Sequence, residues 1–354
     1  MAGHFRRRIS PLRAPTSFAE PIIASSPRVD CRPAPALRGY VLTLASAIVL
    51  SATGILIKYL LTHYTLGPLA LAFWRVLFVS LALGGMLAIF KPSLLRVRAV
   101  DLPMFLLYGL VGIGIHQIVW ISSVAINGAA IATVLVYIQP ALVAVFSWRL
   151  LGESLERSKL VALALTLAGM VLVSGVFKLG QLNLSLLGLA TGFGTGVTFA
   201  TYALFSRYAT RRYSPWTCLF YAFTFGLLFL LPLQFFSGVD SAPLLGAAAV
   251  GSNLFALGGS PGGWGVLLLL ALGPTLAGFA LYTMGLSHLP ASVATIIGTL
   301  EPVFSIILAY LMFGEVLDLL QLGGAALILW SVVMLRPGTK VSRGAAEPAL
   351  PLSQ

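Results

Sequence analysis

The sequence predicts an all-α integral membrane protein: ten transmembrane helices arranged as two inverted five-helix repeats. Three observations carry this: composition, the placement of the basic residues, and an internal repeat. The 354 residues are 58% hydrophobic and only 9% charged, with a mean hydropathy of +0.98. An ordinary soluble domain carries about 25% charged residues, so the soluble classes are excluded. The 36 glycines and 20 prolines fit the membrane class, where both are commoner than in soluble helices. Cys31 and Cys218 form no disulfide framework, because one lies in the N-terminal tail and the other inside an apolar run. Ala45-Ser46-Ala47 mimics a signal-peptidase site, yet the apolar run continues past it to about Leu61 and reads as a retained anchor.

Ten apolar runs follow one another at 39–62, 67–90, 103–125, 128–148, 159–177, 185–206, 214–236, 264–287, 290–313 and 318–335. Each approaches the ~20 residues a helix needs to cross a ~30 Å hydrocarbon core. Residues 1–37, rich in Arg, Pro and Ser, read as a disordered basic tail, and 337–354 as a second tail. The 237–263 segment, with Gly258-Gly259-Ser260-Pro261-Gly262-Gly263, reads as a flexible connection.

The basic residues test that count. With the N-terminus inside, the inner segments hold 19 of the 22 Lys and Arg residues. The outer loops hold only Lys178, while Lys58 and Arg75 fall within helices. This asymmetry places both termini in the cytoplasm of a cell (inner or plasma) membrane. It also accounts for the +12 net charge without a nucleic-acid partner.

Shifting the chain by 162 residues lays Ala132-Thr133 on Ala294-Thr295, Pro140 on Pro302, and Gly152-Glu153 on Gly314-Glu315. Without a gap, 130–173 and 292–335 share 11 of 44 residues. Five helices separate the copies, and an odd number inverts the second. The halves are 39–177 and 185–336, with Glu153 facing the cytoplasm and Glu315 facing out. Inverted repeats mark secondary transporters, whose sites lie near the midplane where the halves meet.

The pattern Ala130–Pro140–Leu151-Gly152-Glu153, repeated as Ser292–Pro302–Phe313-Gly314-Glu315, resembles EamA-type members of the drug/metabolite transporter superfamily. Lys58 and Phe73-Trp74-Arg75 also look like that family's first-repeat pattern. The resemblance covers 39–336 and implies two inverted five-helix repeats around a central cavity. It implies export or exchange of small metabolites, amino acids among them, linked to a proton or substrate gradient.

Charges inside a bilayer are costly and mark function unless they serve structure. Counting along the runs puts Glu301 near the midplane, with Arg75 roughly 6 Å and Lys58 roughly 12 Å to the outer side. On a functional reading Glu301 titrates a proton or meets a substrate amine, and the planar fork of Arg75 holds a carboxylate. On a structural reading the two form an ion pair, and Lys58 reaches for the outer headgroups. Pro302 after Glu301, and Pro140 after Gln139, remove a backbone donor and break their helices; each is a site-building break or a plain hinge. His116, Gln117 and Trp120 share a helical face that lines a cavity or simply packs. Tyr137, Tyr202 and Tyr282 divide in the same way. Gly188, Gly192 and Gly196 form a stripe for close helix approach. Glu153 and Glu315 each close a helix after a glycine, as terminus-fixing groups or gates.

No GxxxxGK[ST], HExxH or GxSxG is present, so ATPase, metalloprotease and serine-hydrolase chemistry lack their parts, and no cofactor or metal is expected. The leading expectation is a secondary transporter of small metabolites working by alternating access, as monomer or homodimer. The alternative is a flippase for a lipid-linked or lipid-like substrate, which requires a lateral opening between helices.

Overall fold

A computed structural model describes residues 35–64, 66–174, 176, 185–235, 254–313 and 318–335. The chain divides into units 1–32 and 33–354, and every described residue belongs to the second. Among the described residues all regular secondary structure is helical, with no strand. Seven stretches are long and apolar enough to cross a membrane: Ala36–His63, Pro68–Phe90, Ala99–Val124, Ile131–Leu151, Pro215–Leu233, Pro261–His288 and Ala291–Met312. Leu319–Met334 is apolar but shorter. Large apolar side chains stay bare on the outside, among them Leu186 (85% exposed), Leu319 (83%) and Phe90 (76%). A chain in water would bury them; against hydrocarbon they cost nothing.

The first rod is α1 (Pro35–Ser51) and α2 (Thr53–His63), interrupted at Ala52. Helix α3 (Pro68–Phe90) returns, with proline in its first turn, where the missing N–H costs no bond. Helices α4 (Leu102–Gly109) and α5 (His116–Val136) join through a π-helical turn at Leu110–Ile115. Then come α6 (Gln139–Leu151), α7 (Arg157–Val173), α8 (Leu186–Ala209) and α9 (Pro215–Leu233). Helices α10 (Pro261–Leu270) and α11 (Gly278–His288) join through a second π-helical turn at Ala271–Ala277. The series ends with α12 (Ala291–Gly298), α13 (Glu301–Phe313) and α14 (Leu319–Met334).

The expected separation of runs 103–125 and 128–148 is found as two spans, Ala99–Val124 and Ile131–Leu151. Along α5 the neighbours on α8 reverse order, so this segment is two legs and not one straight helix. Thr198, Gly194 and Gly188 face His116, Val119 and Asn127 in turn, after which Gly192 and Gly196 face Leu135 and Ile138. The chain therefore descends α8 and climbs back, folding over near Asn127, whose amide donates to Gly188 O at 2.8 Å. The glycine stripe of α8 permits this, since a Cβ at Gly192 would collide with Leu135.

Structural landmarks recur at the 162-residue offset. The π turn at Leu110–Ile115 has its counterpart at Ala271–Ala277. The two-residue break between α5 and α6, at Tyr137-Ile138, matches Thr299-Leu300 between α12 and α13. Helices α7 and α14, in register under the same shift, pack on each other: a Cβ on Gly324 would meet Gly169 O at 2.6 Å. Beside that crossing, Thr166 and Ser331 share a hydrogen bond of 2.8 Å.

The glycine-rich connection is ordered where it is described. Leu257 is 2% exposed beneath a cluster of Trp74, Phe78 and Trp264, and Trp74 Nε1 donates to Leu254 O at 2.8 Å. Gly258, at φ +48°, lets the backbone turn there. The expectation of a loose loop fails for 254–260, because one leucine and a tryptophan hydrogen bond anchor it. Helix α10 accordingly starts at Pro261, three residues before the expected run.

Candidate functional site

Three helices enclose a cavity of about 210 Å³. Helix α2 supplies Ile57 and Leu61; α3 supplies Pro68, Leu71, Ala72 and Arg75; α5 supplies Gln117, Trp120, Ile121 and Val124. The spacing i, i+3, i+4, i+7 appears in both longer sets, so each helix presents one continuous face. Arg75 is the only charged side chain among them. Its Nε is buried without an acceptor. Arg212 and Asp101 form an ion pair at 3.7 Å, and no pair between Arg75 and Glu301 is seen among the described residues. A guanidinium at mid-membrane costs about 2.5–3.5 kcal/mol on insertion scales, so an orphan there calls for an anionic partner.

Glu301 opens α13 immediately after the Thr299-Leu300 break, with Pro302 next to it. Pro302 has no N–H for the Gly298 carbonyl, and Pro140 has none for that of Val136, so both breaks leave backbone oxygens short of a helical donor. The carboxylate of Glu301 lies within electrostatic reach of Tyr137 and Tyr282. Its counterpart Gln139 is buried, and Oε1 has no partner.

The three tyrosines and His116 belong to a packed band. Tyr202 and Tyr282 stack at 6.5 Å, and their hydroxyls meet Thr283 at 3.0 Å and Thr295 at 3.2 Å. His116 Nδ1 bonds Thr198 Oγ1 at 3.0 Å and its ring lies 5.4 Å from Phe199. Of the face His116, Gln117, Trp120, the last two line the cavity and the first turns to α8. The tyrosines are core residues, 0–8% exposed, and stand outside the lining of the Arg75 cavity. Lys58 is exposed on α2 and stands outside the cavity lining.

Glu153 fixes a helix terminus, but of another helix than the one it follows. Gly152, at φ +68°, ends α6 in the left-handed turn a glycine tolerates. That turn sends the Glu153 carboxylate to the N-terminus of α12. Ala291 N donates to Oε1 at 2.5 Å, while Ser292 N and Oγ donate to Oε2 at 3.2 and 2.6 Å. A carboxylate satisfying the free amides of a helix start is favourable both as a cap and against the helix dipole. Glu315 lies outside the described residues.

The EamA-like transporter family model matches residues 37–175 and again 186–336. The chain belongs to the EamA-like transporter family. It is a multi-pass membrane protein, and the EamA relatives it matches are named as transporters. An uncharacterized transporter of Archaeoglobus fulgidus is 30% identical over 61% of this chain and 70% of its own length. A probable terminal-alkyne amino-acid exporter of Streptantibioticus cattleyicolor is 27% identical over 79% and 86%. A pseudopaline exporter of Pseudomonas aeruginosa is 24% identical over 66% and 74%. One crystal structure superposes with a TM-score of 0.66 at 18% identity, covering 84% of this chain and 96% of the other, which places the fold.

Two features of this EamA-like chain escaped sequence reasoning. The π turns precede His116-Gln117 and Gly278-Phe279, and such turns favour functional positions. The only signals were Gly112 and Gly114 in the first and Gly273-Pro274 in the second. The Glu153 contact joins residues 138 apart, and no local pattern encodes its partner.

Proposed function

We propose that this chain is a secondary active exporter or exchanger of small metabolites such as amino acids, working by alternating access of two inverted five-helix repeats. Ten helices, with both termini in the cytoplasm of a cell membrane, complete the reading. The observation that carries it is the pair of half-helices starting at Gln139-Pro140 and Glu301-Pro302, with Glu301 lacking an ion pair where α13 begins. Two relatives named as exporters, one of amino acids, support the direction and the substrate class. Arg75, Gln117 and Trp120 hold the substrate, and Glu301 carries the coupling proton. Broken helices at depth leave polar backbone facing the transport path.

The test is efflux from proteoliposomes loaded with mixed amino acids and metabolites, with and without a pH gradient, read by mass spectrometry. Glu301→Gln abolishes gradient-driven efflux while the protein still inserts and keeps its thermal stability in detergent. Unaltered transport by the variant at every pH would remove Glu301 from coupling.

A second reading, a flippase for a lipid-like substrate, has one observation in its favour. An apolar groove of about 430 Å³ lies between Phe146, Leu150 and Leu151 of α6 and Val197–Tyr208 of α8. Its lining carries no charge to meet a headgroup, and Arg75 and Glu301 lie elsewhere. Lipid scrambling without metabolite efflux in the same liposomes would reverse the order of the two readings.

A further inference from the structure

We propose that the cavity beneath Arg75 is a site for a small monocarboxylate with an apolar body, and that an α-amine on the ligand adds nothing to its binding. The proposal rests on the transporter reading and names the substrate class for that site.

The argument starts from what Arg75 lacks. Its Nε is buried with no acceptor, and no acidic side chain lines the cavity. A planar guanidinium with unused donors matches a carboxylate, whose two oxygens accept in the same plane. The rest of the wall is apolar: Ile57, Leu71 and Trp120 can cover a ring or a branched chain. Gln117 is the one neutral side chain in the wall with an acceptor, and the Trp120 indole N–H adds a donor. At about 210 Å³ the space is below that of drug-sized sites, so the ligand is small.

The charge balance sets the selectivity. A ligand ammonium would sit beside Arg75, a like charge, with only the Gln117 carbonyl to accept from it. Glu301, which could neutralise it, is not part of this wall. A carboxylate without an amine therefore satisfies the site fully, and an amine without a carboxylate satisfies none of it.

The experiment is ligand binding to the purified full chain in detergent, by calorimetry and by thermal stabilisation. Three probes with the same phenylethyl body are compared: 3-phenylpropionate, phenylalanine and phenethylamine. We expect 3-phenylpropionate to bind at least as tightly as phenylalanine, and phenethylamine to bind about 10–100-fold more weakly than either. Arg75→Gln should cost the acids a similar factor and leave the amine unchanged, with Arg75→Lys in between because it keeps charge and loses the fork. The wild-type series decides the matter even if a variant fails to fold. Phenethylamine binding as tightly as the acids, or phenylalanine binding tenfold more tightly than 3-phenylpropionate, would overturn the proposal. So would the absence of binding by either acid. Transport of some other compound alongside that absence would leave the transporter reading standing; acid binding with no transport of anything would do the reverse.

Discussion

Single side chains divide into those whose polarity is answered within the fold and those left open. Tyr202 is answered: its hydroxyl meets Thr283 at 3.0 Å, both fully buried. Tyr202→Phe should lower stability by about 1 kcal/mol, since Thr283 loses a buried partner. Thermal unfolding in detergent reads this, and ligand selectivity should not move. Arg75 and Glu301 are open, and both were legible in the sequence because a charge in an apolar run stands out against its neighbours. The tyrosines stood out less. A tyrosine among leucines and glycines reads the same whether it faces a cavity or a threonine on the next helix. His116 shows this well: one position from Gln117, it turns to Thr198 instead.

Helices approach one another here by leaving side chains out. At the α7–α14 crossing, a Cβ on Gly324 would meet Gly169 O at 2.6 Å, Leu172 Cβ at 2.8 Å and Val173 N at 2.8 Å. Gly324→Ala should destabilise the protein by about 1–3 kcal/mol, as overpacking at a backbone contact does. Gly323 is the control, because a Cβ there meets nothing within 4 Å, and Gly323→Ala should cost nothing. Unfolding midpoints of the two variants, side by side, check the claim; equal midpoints would refute it. The apolar runs and the glycine stripe of α8 were legible from composition and spacing. The fold-over near Asn127 was legible as the gap between two runs. The partners that the two legs find on α8 were not, because those contacts join residues far apart in the chain.

Across the whole molecule, Glu153 ties the two family-matched stretches together, with the carboxylate in one and the amide donors in the other. If the halves rock, this contact breaks first on that face, and its loss should favour the state in which the face is open. Glu153→Gln keeps an acceptor but loses the charge, and should weaken the cap by about 1 kcal/mol. In a Cys31→Ser, Cys218→Ser background, a cysteine at Val293 next to the clasp should then react faster with an impermeant maleimide added from the Glu153 side. An unchanged rate would confine Glu153 to architecture. The matched Gly-Glu motifs were legible from sequence at the 162-residue offset. The cross-contact was not, because its partner is a helix N-terminus and not a residue type.

Helix α8 is absent from the seven stretches apolar enough to enter a membrane on their own. Its glycines and threonines suit contact with Asn127, Leu135 and Ile138 more than contact with lipid. Those partners lie earlier in the chain, so during synthesis they are already in the bilayer when α8 leaves the ribosome. The order of the sequence thus doubles as an order of assembly: a segment that falls outside those seven arrives after the surface that shelters it has been laid down.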